Sequence, residues 1–197
     1  MSIEAIAAEK AALRKLMRAR RAAIPAETRA AASIALRDGL TRWLPKEKFA
    51  RADAVIAGYW PIRDELDPRP AMQVFARRGH RLALPASIAK REPLVFRAWS
   101  PGDPLAPDIM GIQAPLSDAP EVVPWLVLVP MLAFDSSCRR LGYGAGFYDR
   151  TLATLRARGG TLAVGLAFDA QEVERVPVAA GDEPLDQVVT ERVVIIR

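Results

Sequence analysis

The run Trp125-Leu126-Val127-Leu128-Val129-Pro130 is the strongest constraint on how this chain can fold. It is short, apolar and partly β-branched, so it reads as a central strand with no face left for water. Further short apolar runs stand at Ala54–Tyr59, Arg81–Pro85, Thr161–Gly165, Gln187–Thr190 and Val193–Ile196. Segments of helical period alternate with them. Residues 3–22 carry Ile6, Leu13, Leu16 and Met17 near one stripe and end at Pro25. A second helix is expected from Ala26 to Trp43, stopped by Pro45. A third covers 69–78 and closes at Gly79, and a fourth runs from Phe147 to Arg158 with Gly159-Gly160 as its stop. Strands alternating with helices predict an α/β sheet covered by helices on both faces. Leu94–Trp99 is expected as an antiparallel edge strand. The proline-rich remainder of 86–124 and the stretch after Pro130 are expected to be loop. Ligands in such sheets bind at the carboxyl ends of strands, here the loops after Tyr59, Pro130 and Gly165.

At 197 residues the chain is expected to form one domain over 1–197, large enough to bury a core without disulfides. Cys138 is the only cysteine and His80 the only histidine, which excludes an intrachain disulfide, a cysteine-based zinc site and a multi-histidine metal site. Twenty-eight Lys and Arg against 23 Asp and Glu give +5, an excess that suits an anionic ligand as well as a nucleic acid. Glu4, Glu9, Lys10 and Arg14 interrupt the apolar positions of the N-terminus, unlike a secretory signal. No apolar run approaches the length of a membrane helix. The expectation is a cytoplasmic monomer without a membrane partner. A mitochondrial presequence is the lesser reading, because the acidic residues speak against it.

Most of the chemistry is concentrated between Asp135 and Arg150. Gly142, Gly144 and Gly146 alternate in a segment that enters a helix. Uncovered amides and a helix N-terminus make an anion site, and Arg139, Arg140 and Arg150 add full charges. The segment is neither a Walker A loop nor a dinucleotide fingerprint, since Phe147 stands where the latter requires glycine. Asp149, in the first turn of the helix, either favours the helix dipole or, beside a phosphate, holds Mg²⁺. Lys10 and Arg14 share a helix face, with Lys15, Arg18, Arg20 and Arg21 extending the charge. That face is either solvated or closes over a polyphosphate. Trp60 and Glu65 suit a flat polar heterocycle through stacking and N–H acceptance, or else are a core Trp and a solvated Glu. His80 reads as a helix-terminal residue and Cys138 as a bystander.

The stretch Leu128 to Arg150 resembles the 5-formyltetrahydrofolate cyclo-ligase family, also called 5,10-methenyltetrahydrofolate synthetase. The similarity lies in Val129-Pro130, Ala133-Phe134-Asp135 and Arg140 through Asp149. It extends to Lys10 and Arg14 on the first helix, to Asp64–Asp67 after the first strand, and to Gly181–Glu191 near the end. The resemblance implies a three-layer αβα sandwich like that of ribose-5-phosphate isomerase and CoA transferases. It implies ATP, Mg²⁺ and a reduced folate, with 5-formyltetrahydrofolate converted to 5,10-methenyltetrahydrofolate and ADP and phosphate released. It assigns ATP contacts to Lys10, Ala11, Ala12, Leu13 and Arg14 and to Arg140, Leu141, Gly142, Tyr143, Gly144, Ala145, Gly146, Phe147 and Tyr148. Arg140 and Arg14 are the implied catalytic residues. Trp60, Glu65 and the Tyr143–Phe147 loop would face the folate, and Asp149 and Asp182 would serve Mg²⁺.

The implied chemistry suits these residues. Phosphorylating the formyl oxygen turns it into a leaving group, so positioning and charge neutralisation suffice and no Ser, Cys or His nucleophile is needed. Against the family pattern, Met131, Ser137-Cys138 and Gly181 replace frequent residues, and Tyr143 and Ala145 stand where some members carry Arg or Lys. Two rival readings remain at this stage. One is a sugar-phosphate isomerase or CoA transferase-like enzyme on the same fold. The other is a basic nucleic-acid-binding protein, ranked last because no aromatics interleave the basic run; no stable nucleic-acid partner is expected.

Overall fold

A computed structural model describes residues 2–43 and 54–197; Pro45, the expected stop of the second helix, lies outside the described residues. Helix α1 spans Ile3–Ala22, its first turn capped by the Ser2 hydroxyl, which accepts from the Ala5 amide at 3.2 Å. Helix α2 spans Ala26–Trp43. Strand β1 (Val55–Ala57), helix α3 (Arg69–Arg77) and strand β2 (Arg81–Ala86) follow. Strand β3 (Val95–Ala98) precedes two short strands, β4 (Leu105–Pro107) and β5 (Gln113–Pro115), and then β6 (Leu126–Pro130). A two-residue ribbon, β7 (Ala133–Phe134) with β8 (Arg140–Leu141), leads to helix α4 (Phe147–Arg158). Strands β9 (Leu162–Leu166), β10 (Gln187–Val189) and β11 (Val194–Ile196) end the chain.

Seven strands form one sheet in the order β11-β10-β9-β6-β1-β2-β3. The five inner strands are parallel, and β3 and β11 are antiparallel edges. β6 is the middle strand, as its wholly apolar sequence requires. Its side chains alternate between two cores. Leu126 and Leu128 pack with Leu36 and Leu40 of α2 and Met72 and Phe75 of α3. Val127 and Val129 pack on the opposite face with Leu152 and Leu155 of α4. The sheet therefore lies between two helical layers, an α/β fold as expected.

Handedness explains that arrangement and locates the site. The β1–α3–β2 and β6–α4–β9 crossovers run in opposite directions from the β1/β6 pair. Right-handed crossovers going opposite ways put their helices on opposite faces. The crevice at the carboxyl ends of β1 and β6 is thus the switch point where α/β sheets bind ligands. A third cluster, Met17 with Leu132, Ala133, Leu141 and Val176, seats α1 on the β7–β8 ribbon beside that crevice.

Three expectations are corrected. Residues 86–124 are not loop apart from β3, because β4 and β5 pair as a hairpin. The stretch after Pro130 contains the β7–β8 ribbon. Leu16 is 54% exposed and does not share the buried stripe of Met17. Strands of two or three residues, some containing proline, are too short to show a period of two. No helix among the described residues is long and apolar enough to cross a membrane.

Candidate active site

A cavity of about 550 Å³ opens at the switch point. Three walls enclose it: the loop after β1, the glycine loop between β8 and α4, and α1 lying across them. The β4–β5 hairpin closes a fourth side with Asp108, Met110 and Ile112.

The glycine loop is shaped by backbone that other residues adopt poorly. Gly144 has φ +106° and Gly146, at the N-cap of α4, has φ +68°. A Cβ on Gly146 would stand 2.7 Å from an Arg150 terminal nitrogen, and one on Gly144 would stand 3.4 Å from Arg14 Cζ. The loop therefore lies against two guanidinium groups and leads into a helix N-terminus. Arg150 braces it further by donating to the Ala145 carbonyl at 2.8 Å.

Helix α1 supplies the opposing charge. Lys10, Arg14 and Arg18 line the cavity. Arg14 Nε donates to the Gly142 carbonyl at 2.9 Å, which leaves its two terminal nitrogens without a protein partner among the described residues. Lys10 Nζ pairs with Asp182 Oδ2 at 2.5 Å, and that oxygen also accepts from the Ala179 amide at 2.7 Å. Arg140 donates through one terminal nitrogen to Asp149 Oδ1 at 2.7 Å and through the other to the Glu183 carbonyl at 2.5 Å. The Glu183 amide returns to Asp149 Oδ1 at 3.1 Å. Arg139 turns outward with its side chain 47% exposed, whereas that of Arg140 is 4% exposed.

The wall after β1 is aromatic and acidic. Trp60 lies edge-on to Trp99 with ring centroids 6.3 Å apart and carries the Arg69 guanidinium 4.7 Å over its ring. Glu65 is buried; its carboxylate accepts from the Ile62 amide at 2.9 Å and from the Tyr143 hydroxyl. Burial pushes the Glu65 carboxyl above its ordinary pKa, against those two hydrogen bonds and the Arg21 charge. Burial likewise raises the phenols of Tyr143 and Tyr148, with Glu65 adding to both, so both are neutral near pH 7.

One end of this cavity is therefore cationic and lined by glycine-loop amides that donate to no carbonyl among the described residues, and the other offers a ring and a carboxylate. The family model of the 5-formyltetrahydrofolate cyclo-ligase family matches residues 6–191. The chain belongs to that family. It is 36% identical over 140 residues to the 5-formyltetrahydrofolate cyclo-ligase of Escherichia coli, covering 68% of this chain and 76% of that one. The cyclo-ligase of Mycolicibacterium smegmatis is 29% identical over 197 residues, covering 92% and 93%. Among solved structures, the 5,10-methenyltetrahydrofolate synthetase of Aquifex aeolicus superposes with a TM-score of 0.76 at 32% identity, covering 95% of this chain and 92% of that one. The 5,10-methenyltetrahydrofolate synthetase of Mycoplasma pneumoniae, at 20% identity, shares the fold with a TM-score of 0.73, covering 93% and 99%.

Within this cyclo-ligase family member, the structure gathers most of the residues singled out in the sequence. Lys10, Arg14, Trp60, Glu65, every residue from Arg140 to Asp149, and Asp182 line the one cavity. Ala11 and Ala12 do not: both are exposed on other sides of α1, and Leu13 packs against the third core cluster. A helix turns about 100° per residue, so Lys10 and Arg14 face the cavity while the residues between them turn away. Cys138 is buried, and burial with the Asp135 and Asp186 charges raises its thiol pKa against the Arg197 charge. His80 follows the helix end and packs edge-on to Phe75.

Tyr59, Arg63, Asp108, Met110 and Ile112 also line the cavity without having been expected there. Arg21, expected as part of a basic face either solvated or closing over a polyphosphate, does neither. It is 2% exposed and donates to Tyr143, Asp64 and the Met131 carbonyl. The spacing 10, 14, 17, 21 places it on one stripe with Lys10, Arg14 and Met17, and that stripe was a readable signal.

Proposed function

We propose that this protein converts 5-formyltetrahydrofolate to 5,10-methenyltetrahydrofolate with ATP, as a single catalytic unit over residues 1–197. The observation that carries the reading is the meeting, in one cavity, of a phosphate-type end and a heterocycle-type end in a member of the cyclo-ligase family. The polyphosphate lies along the Gly142–Gly146 amides and under Lys10 and Arg14. The folate ring lies against Trp60 with its N–H edge toward Glu65. The formyl oxygen then forms a bond to the γ-phosphorus while the bond to the β,γ-bridging oxygen breaks and ADP leaves. The N10 lone pair attacks the activated formyl carbon. N10 gives up its proton, and phosphate departs with the former formyl oxygen and carries that proton away, leaving the methenyl bridge. The protein's work is to hold the two substrates in line and neutralise the moving charge, which needs no covalent side chain.

Asp149 and Asp182 fit a Mg²⁺ ion shared with the nucleotide. Each spends one carboxylate oxygen on the protein, and the second oxygen of each accepts no hydrogen bond among the described residues. No cluster of three His, Cys, Asp or Glu gathers among the described residues, which suits an ion that takes one or two carboxylates and completes its shell with phosphate and water. When bound, such an ion neutralises phosphate charge. Asp149→Asn or Asp182→Asn is expected to raise the Mg²⁺ concentration for half-maximal activity by about fivefold or more, while folate binding without metal is retained. Wild-type Mg²⁺ dependence in both variants contradicts the assignment.

Family membership favours this reaction over a sugar-phosphate isomerase or CoA transferase. A nucleic-acid role is disfavoured because the basic run is divided: Lys10 and Arg14 face the cavity and Arg21 is buried. A cytoplasmic, monomeric enzyme belongs to the same proposal. The enzymatic reading is tested by counting ADP: release in equal amount to folate consumed, and only with both substrates present, is expected. ADP release that ignores the folate contradicts it.

A further inference from the structure

Glu65 occupies a position that discourages charge, being 8% exposed in the cavity wall. A neutral carboxylic acid there presents a donor, whereas a carboxylate only accepts. The hydrogen bonds favour the carboxylate, because each of its oxygens is used as an acceptor. Arg21 donates from a terminal nitrogen to the Tyr143 hydroxyl at 2.7 Å. A guanidinium has no acceptor, so the Tyr143 oxygen accepts and its one proton is left for Glu65. The relay therefore runs one way, from Arg21 through Tyr143 to Glu65, while the Ile62 amide holds the second carboxylate oxygen.

Arg21 is fixed for this task. Its other terminal nitrogen pairs with Asp64 Oδ1 at 2.8 Å, and its Cζ lies 5.5 Å from the centre of the Tyr143 ring. It does not line the cavity, so it is not a direct phosphate ligand. Of the remaining titratable groups facing Glu65, only Asp64 opposes the charged form directly, and its charge is offset by Arg21. Asp64 is paired with Arg21, and the Tyr59 hydroxyl donates to the Leu66 carbonyl at 2.6 Å. The Tyr148 phenol is neutral near pH 7.

We propose that Arg21 is a positioning residue for substrate recognition: acting through Tyr143, it holds Glu65 as an acceptor-only carboxylate, so that the site selects a heterocycle edge with adjacent N–H donors. The proposal rests on the reading that Glu65 faces the folate, whose 2-amino-4-oxo ring carries such an edge. A ring offering lone pairs there meets the carboxylate oxygens and is rejected. Losing the Tyr143 hydroxyl removes a bond that favours the charged form, so Glu65 would take up its proton at a higher pH. Folate affinity, complete while Glu65 is charged, would then be lost earlier as the pH falls.

The test is a tryptophan-fluorescence titration with 5-formyltetrahydrofolate in the absence of ATP, repeated across the acid-to-neutral range. The proteins compared are wild type, Tyr143→Phe and Arg21→Lys, with a parallel titration of ATP. Tyr143→Phe keeps the ring and is expected to bind folate about fivefold more weakly, with its acid limb displaced to higher pH. ATP affinity should stay within about twofold, because residue 143 meets the polyphosphate through its backbone amide, which the variant keeps, and the lost hydroxyl is spent on Arg21 and Glu65. Arg21→Lys keeps the charge without the fork and should fall between the two. Folate affinity and pH profile unchanged in Tyr143→Phe overturn the proposal. So does an equal loss of ATP and folate binding, which marks general loosening of the glycine loop. A wild-type protein that binds ATP but no folate overturns the functional reading beneath it, and the proposal with it.

Discussion

Arg14→Ala is expected to lower kcat/KM by about a hundredfold, or roughly 2.7 kcal/mol of transition-state stabilisation. Arg14 is the one guanidinium on α1 that is both anchored to the glycine loop and left with terminal nitrogens free of protein partners among the described residues. Its Nε–H bond to the Gly142 carbonyl fixes the plane of the fork, and Gly144 lets it lie close to the backbone. A pre-oriented fork makes two charge-assisted hydrogen bonds to a phosphoryl group, each worth about 1.5–3 kcal/mol. Most of the loss should fall on kcat, because the charge on the transferred group is redistributed as it moves. Arg14→Lys should recover only part. Arg18, exposed but also lining the cavity, is the comparison: its alanine variant should lose less than tenfold, and the loss should shrink as salt rises. Equal, salt-sensitive losses in both variants would reduce Arg14 to a source of local potential.

Arg140→Ala should cost at least about tenfold in kcat/KM, or about 1.4 kcal/mol. The side chain works by holding other groups. It joins the first turn of α4, through Asp149, to the Glu183 carbonyl, so truncation takes the guanidinium from Asp149 while Asp182 keeps Lys10 and the Ala179 amide. Asp149 is 29% exposed, which keeps the penalty below that of a fully buried broken pair. Arg140→Lys should restore only one of the two bonds, since an ammonium cannot reproduce a planar fork. Arg139→Ala should stay within about twofold, because its exposed side chain meets Asp135 only at 3.9 Å. Similar small losses for Arg139 and Arg140 that vanish at high salt would contradict the clasp.

The parts of this architecture that were legible in the sequence are those governed by local periodicity. The bounds of α1 and α4, the central position of β6 and the antiparallel edge at β3 follow from apolar patterning and from proline and glycine stops. The two principal site-forming loops follow from the rule for ligands at strand carboxyl ends. What was not legible depends on partners distant in the chain. The β4–β5 hairpin carries Asp108, Met110 and Ile112 to the cavity on three-residue strands with no measurable period. The stripe of α1 that carries Arg21 is legible, but its partners are not: Tyr143, 122 residues away, and Asp64, 43 residues away, are brought beside it only by the fold. Arg140 reads as a phosphate ligand because its neighbours are glycines. Its terminal nitrogens instead meet a carboxylate nine residues on and a carbonyl forty-three residues on.

The most direct measurement of the central claim is the absorbance of 5,10-methenyltetrahydrofolate after 5-formyltetrahydrofolate is added to the purified protein, with and without ATP and Mg²⁺. The predicted result is product only when nucleotide and metal are both present, with one ADP formed per methenyl group. Product at the same rate without ATP, or no product with ATP and Mg²⁺ present, would contradict it.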